Sequence, residues 1–239
     1  MTCHCPLGVF ALPIGKKLPD ILFLELLNKV NSSKKDRISR FLRRQDAQAC
    51  LFADLLTRSM LIDRSGLSNS EISFSASAFG KPQFNNPLPV HFNVSHSGDW
   101  VVCAIDTQEV GIDIEQMTEI DLSISKDFFS DAEFTAIIES DDPGSKFFEY
   151  WTLKESYIKY TGKGLSERLD SFRINLRQDG EITVETNGSV VEGVWFRQYE
   201  IEDGYKMALC SGRPDTCRTC NILSMEDIIK VMRSAENAL

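Results

Sequence analysis

What most limits the fold of this chain is an order of elements that occurs twice. In the first half, residues 34–63 carry apolar side chains at helical spacing, with Phe41, Leu42, Leu51, Leu55 and Leu56 forming the stripe. Two strand pairs follow. ISFSASAFGKPQF turns around Gly80, Lys81 and Pro82, and VHFNVSHSGDWVVCAI turns at Ser97, Gly98 and Asp99. The second half repeats this order. Helical stretches cover roughly 130–139 and 145–161, and SFRINLRQDGEITVET and VWFRQYEIEDGYKMALC turn at Asp179-Gly180 and Asp203-Gly204. Even the closing strands, VVCAI and KMALC, look alike. The pattern predicts an α+β protein: two similar lobes in a pseudo-twofold arrangement, each an antiparallel sheet packed by helices. The join falls near residues 106–111, dividing the chain into lobes 1–108 and 109–239, the second with a C-terminal tail. The cleft between two such halves is the natural ligand site. In the tail, SMEDIIKVMRSAENAL has the pattern of a short amphipathic helix.

The formal net charge of −9 over 239 residues repels nucleic acid and anionic membranes at long range, while leaving room for a local basic pocket. No apolar run approaches the roughly 18 residues of a membrane span. The N-terminal stretch is apolar up to Pro13 and Gly15 but has no Lys or Arg before it, so it reads as a short edge strand rather than a signal peptide. An odd number of cysteines, 7, without a secretory signal indicates free thiols in a reducing cytoplasm. Zinc is a poor fit to Cys3-His4-Cys5, whose spacing is too tight, and to Cys217-x-x-Cys220, which has no second pair.

Four groups of residues could carry chemistry. In GIDIE, residues 111–115, a strand that points Ile112 and Ile114 into the core places Asp113 and Glu115 together on the other face. Paired carboxylates repel unless a cation sits between them, and hard oxygen ligands suit Mg2+. The same pattern also fits ordinary acids on an exposed strand. In WTLKESYIKYTGKGLS, residues 151–166, helical spacing aligns Trp151, Glu155 and Lys159, while Leu153, Tyr157 and Tyr160 are free to pack. Glu155 could be a third acidic ligand, with Lys154 and Lys159 adding positive charge. A surface helix held by Glu–Lys pairs is the alternative. At the end of a strand, Ser95, His96 and Ser97 could donate to a phosphate or simply stabilise a turn. Lys34, Lys35, Arg37, Arg40, Arg43 and Arg44 form a cationic run that is either a solvated helix face or an anion site, and Lys81 lies at a turn. No G-x-S-x-G elbow supports a hydrolase triad, and no phosphate-binding glycine loop is present.

Taken in order, these segments resemble the 4'-phosphopantetheinyl transferases of the surfactin-type, two-lobed subfamily. The matching residues are Gly80-Lys81-Pro82, Asn93 to Ser97, Gly111 to Glu115, Phe129 with Glu133, Trp151 through Ser156 with Lys159, and Gly162 to Ser166. Ser156 stands where that family often has Ala. The resemblance covers residues 30–212 and implies transfer of the phosphopantetheine arm of coenzyme A, as co-substrate, to a serine of an apo acyl or peptidyl carrier protein, releasing adenosine 3',5'-bisphosphate. It implies that Asp113, Glu115 and Glu155 ligate Mg2+ with the pyrophosphate. Lys34, Arg37 and Lys81 would hold the 3'-phosphoadenosine part, with Ser95 and His96 on its phosphates. Lys154 would help to hold the phosphates, Lys159 would stabilise or protonate the leaving group, and Glu155 would be the base for the carrier serine. A monomer is expected, since two fused lobes already enclose the cleft. The competing expectations are an inactive homologue that only binds coenzyme A or a carrier, and another Mg2+-dependent phosphotransferase or nuclease.

Overall fold

The computed structural model describes residues 7–236, so Cys3, His4 and Cys5 lie outside the described residues. The first lobe runs β1 (Gly8–Pro13), α1 (Asp20–Leu27), α2 (Ser32–Ser39), α3 (Arg44–Ser65), β2 (Phe74–Ala76), β3 (Pro82–Phe84), β4 (His91–Ser97) and β5 (Trp100–Asp106). The second runs β6 (Val110–Gln116), α4 (Ser125–Phe128), α5 (Asp131–Ile138), α6 (Pro143–Thr161), β7 (Phe172–Leu176), β8 (Ile182–Thr186), β9 (Ser189–Val190), β10 (Trp195–Tyr199) and β11 (Tyr205–Ser211). A final segment contributes β12 (Asn221–Ile222) and α7 (Met225–Glu236).

The repeat is visible in the sheets. β1 pairs antiparallel with β5 and β5 with β4; correspondingly, β6 pairs antiparallel with β11 and β11 with β10. The order is β1-β5-β4 in one lobe and β6-β11-β10 in the other, each accompanied by a long helix and a small second sheet, β2-β3 in the first and β7-β8-β9 in the second. The α+β class and its two-lobed pseudosymmetry are therefore as the alternation of patterns predicts. Three apolar cores follow from this layout. The first packs α3 and its neighbours against β4 and β5, and the second packs α5 and α6 against β7, β8 and β11. The third lies between the two sheets, where Val9, Val102, Ile112, Ile114, Met207 and Leu209 meet. Strands alternate their faces, so β5 and β11 each feed two cores.

Three local readings differ from expectation. The helix expected over 34–63 is broken at residues 40–43. Ile38 is buried at the end of α2, but Leu42 projects fully into solvent, so Phe41 and Leu42 do not continue the apolar stripe. β1 is not an edge strand, because the two-residue β12 pairs with it in parallel and covers its outer side. The tail does not stay with the second lobe: Ile228 and Met232 of α7 enter the core of the first. Its amphipathic pattern is the signature of a helix with one face to bury. Arg213 anchors the start of this return on the buried Asp106, with Nε 2.8 Å from Oδ2. Cys50, Cys103, Cys210, Cys217 and Cys220 are free thiols. Among the described residues no helix is long and apolar enough to cross a membrane.

Candidate active site

β4 and β6 run side by side at the seam of the lobes, although neither pairs with the other in a backbone ladder. Side chains fasten them instead. Alternation along β4 points Asn93, Ser95 and Ser97 at β6. Asn93 Oδ1 accepts from the amide of Ile112 at 2.8 Å. Ser95 Oγ donates to Asp113 Oδ1 at 2.9 Å, and Ser97 Oγ donates to Glu115 Oε2 at 2.8 Å while accepting from the amide of Gln116 at 3.0 Å. The same alternation along β6 buries Ile112 and Ile114 between the sheets and turns Asp113 and Glu115 towards the seam.

α6 closes the site from the second lobe, and its close approach depends on Gly111. A Cβ at that position would lie 2.0 Å from the Ser156 carbonyl oxygen and 2.3 Å from the Tyr160 amide nitrogen, both backbone atoms of α6. Only a residue without a side chain lets helix and strand touch there. The helix ends at Gly162, whose φ of 70° supplies the left-handed cap. This placement brings Lys159 to Asp113: Nζ lies 2.5 Å from Oδ1 and 2.9 Å from Ser95 Oγ.

The electrostatics tie three acids together. Burial raises the Glu115 carboxyl above its usual value, and the charge of Asp113 raises it further; Glu155 adds a smaller push, opposed by Lys159. Burial likewise raises Glu155, again reinforced by Asp113 and opposed by Lys159. Asp113 itself is 2% exposed, and its Oδ2 is buried without a hydrogen-bond partner among the described residues. An orphaned carboxylate oxygen between two mutually repelling acids is the donor set that a hard divalent cation satisfies. As the side chains stand, no three His, Cys, Asp or Glu residues among those described are gathered closely enough to enclose an ion.

Two cavities open near the seam. The larger, about 550 Å3, is lined by Phe79, Gly80, Lys81, Glu155, Lys159 and Arg168, with Gly162 and Gly164 at its rim. The smaller, about 330 Å3, is lined by Lys34, Arg37, Phe74, Pro82, Phe92 and Val94. The Asn31 side chain caps α2 by accepting from the Lys34 amide at 2.8 Å, and Lys34 Nζ lies 3.6 Å from Asp54. Asp54 also binds Arg58 at 2.6 Å, which fixes the cationic rim in place. His96 points away from Ser95, as strand alternation requires, towards Lys34, Arg37 and Asp46. Partial desolvation and the charges of Lys159, Lys34 and Arg37 outweigh the pull of Asp46 and hold its imidazole below the usual value.

Several sequence-level assignments change. Lys154 cannot reach a phosphate. It is fully buried, and its ammonium is saturated by Glu133 Oε1 at 3.0 Å and the carbonyl oxygens of Leu169 at 2.8 Å and Phe172 at 2.6 Å. Ser95 is committed to Asp113 and Lys159 and does not share a face with His96. Lys81 is not in the cavity of Lys34 and Arg37: it lines the larger cleft, with Nζ 2.7 Å from Glu109 and 3.1 Å from the Val110 carbonyl oxygen. Gly111 and Asn93 carried no chemical signal by themselves, yet they set the geometry.

Comparison with known proteins agrees with this architecture. A model of the 4'-phosphopantetheinyl transferase superfamily matches residues 109–210, and one for the N-terminal part of such transferases matches residues 20–108. The chain is 39% identical over 202 residues to the 4'-phosphopantetheinyl transferase Sfp of Bacillus subtilis (strain 168), covering 84% of this chain and 90% of that protein. It is 35% identical to the transferase psf-1 of Bacillus pumilus, covering 84% and 86% of the two chains. With the Homo sapiens L-aminoadipate-semialdehyde dehydrogenase-phosphopantetheinyl transferase it shares 28% identity over 230 residues, covering 86% and 74%. The chain belongs to the 4'-phosphopantetheinyl transferase superfamily. Within that class it is an enzyme of the two-lobed Sfp type.

Proposed function

We propose that this chain moves the 4'-phosphopantetheine arm of coenzyme A onto a serine hydroxyl of an apo acyl or peptidyl carrier protein, releasing adenosine 3',5'-bisphosphate. The observation that carries this reading is the buried Asp113 at the seam, flanked by Glu115, Glu155 and the Lys159 ammonium. Phosphoryl transfer asks a protein for charge neutralisation and alignment more than for covalent help. Asp113, Glu115 and Glu155 would hold Mg2+, which withdraws charge from pyrophosphate oxygens when bound. Glu155 faces the larger cleft, and its raised carboxyl suits a group that takes the proton of the incoming serine. Lys159 lines the same cleft and would stabilise or protonate the leaving bisphosphate. Lys34 and Arg37 offer a cationic, partly apolar cavity suited to the phosphoadenosine end, and His96 lies within reach of both charges.

The carrier would dock at the mouth of the cleft. Phe79 is exposed there next to Gly164, and Lys163 extends from the same loop. Contacts of this kind are mainly apolar with few charges, so an acidic enzyme and an acidic carrier need little long-range attraction. The chain is read as a cytoplasmic monomer that serves neither nucleic acid nor membrane. The experiment is to incubate apo carrier protein with coenzyme A and Mg2+ and weigh the carrier intact. A gain of one phosphopantetheine supports the reading. Coenzyme A binding without a mass gain would make the chain an inactive homologue, and cleavage of DNA or RNA instead would make it a nuclease.

A further inference from the structure

Lys159 stands where a divalent cation would have to compete with it. Its ammonium rests on Oδ1 of Asp113, the most buried carboxylate of the cluster, and the neighbouring Ser95 hydroxyl both accepts from Lys159 and donates to the same Asp113 oxygen. Its positive charge also moderates the repulsion on both Glu115 and Glu155. The second Asp113 oxygen has no hydrogen-bond partner among the described residues. A cluster of three acids would otherwise spread apart in low dielectric.

We infer that Lys159 is the resident counter-ion of the carboxylate cluster, and that entry of the divalent cation displaces its ammonium from Asp113 into the adjoining cleft. This rests on the metal assignment proposed above and adds an order of events to it. An ammonium and a divalent cation on one buried carboxylate repel each other strongly, so both cannot keep their full contact. Ser95 stays behind as the fixed donor to Oδ1, while Lys159, on a flexible four-carbon stem at the cleft wall, can rotate outward. The same displacement that opens the metal site thus turns a positive charge towards the space where phosphate groups would lie. Before loading, the lysine keeps the acids together; after loading, it becomes available to substrate. Lys159 acts on the metal site as a positioning residue.

The test is Mn2+ binding to the full chain without coenzyme A, followed by electron paramagnetic resonance, for the wild type, Lys159→Met and Asp113→Asn. Removal of the competing ammonium should tighten Mn2+ binding by about tenfold, and Mn2+ should raise the melting temperature of Lys159→Met more than that of the wild type. Equal or weaker binding by a folded Lys159→Met overturns the inference while leaving the metal assignment in place, provided Asp113→Asn binds weakly. If Asp113→Asn binds as well as the wild type, the metal assignment fails and the inference with it. A second measurement needs no variant: acetylation of Lys159 in the wild type, read by peptide mass spectrometry, should increase several-fold when Mn2+ is added. Unchanged or reduced labelling would overturn the exchange.

Discussion

Lys154 and Glu133 face each other at 3.0 Å with both side chains shut away from solvent. Glu133 also accepts from the Ser130 amide at 2.7 Å and hydroxyl at 2.8 Å, and from the Ile174 amide at 2.8 Å, so a single carboxylate joins α5, α6 and β7. Removal of one partner leaves a buried charge uncompensated, at a cost of about 3–5 kcal/mol. Lys154→Met should therefore lower the stability of the whole chain in denaturant melts. The folded fraction should keep a near-normal KM for coenzyme A, because Lys154 itself lines neither cavity.

Gly111→Ala is expected to be as damaging as loss of a catalytic group. The added methyl would meet the backbone of α6, which cannot yield as a flexible side chain would. A cost of about 3 kcal/mol is reasonable for such overpacking. A displacement of Glu155 by an ångström should reduce kcat about 10²-fold. Thermal melts and carrier mass spectrometry read the two effects separately.

Lys34 and Arg37 should determine how well the enzyme tells coenzyme A from its 3'-dephospho form. Replacing both with Ala removes charge-assisted hydrogen bonds worth about 1.5–3 kcal/mol each. KM for coenzyme A should rise at least tenfold, while KM for the dephospho form should change little. Equal losses on both substrates would move the 3'-phosphate elsewhere.

His96 gives a signed pH effect. Its imidazole is held below the usual value, so the unfolded chain takes up the proton first as the solution is acidified. Stability from this group is full above the unfolded value of about 6.5 and declines as pH falls from there through the lower folded value. Lys34, Arg37, Lys159 and Asp46 face it, so His96→Asn is the cleanest comparison. The variant should show a flatter dependence of melting temperature on pH over that window, and parallel curves would contradict the assignment.

Glu155→Gln should abolish transfer and stabilise the metal-free protein. It removes one of three acids at the seam, where burial first and the charge of Asp113 second raise both Glu115 and Glu155. A gain of about 1 kcal/mol corresponds to roughly 2–4 °C in melting temperature for a chain of this size. Loss of activity with a lower melting temperature would mean that Glu155 is a structural residue.

The two-lobed layout was legible because periodicity and turn chemistry are local, and they recur in the same order in both halves. Asp113 and Glu115 were legible for the same reason, since alternation along one strand fixes their shared face. Lys154 shows where a motif misleads. Tyr150, Lys154, Tyr157 and Ile158 follow helical spacing and are all buried, so the lysine sits on the apolar stripe of α6. Its proximity in sequence to Glu155 concealed this, because one step along a helix rotates a side chain by about 100°. Ser95 and His96 were grouped for a similar reason, although a strand sends neighbours to opposite faces. The destination of α7 could not be read at all: an amphipathic pattern announces a face to bury but not the distant surface that covers it.

Because β4 and β6 are joined by Asn93, Ser95 and Ser97 rather than by a backbone ladder, the same three side chains help the apolar core between the sheets to hold the halves together and also set the polarity of their shared groove. Few substitutions there could alter reactivity without also loosening the molecule. Divergence among relatives should accordingly collect at the Phe41-Leu42 elbow and the C-terminal return, and leave this stitched border alone.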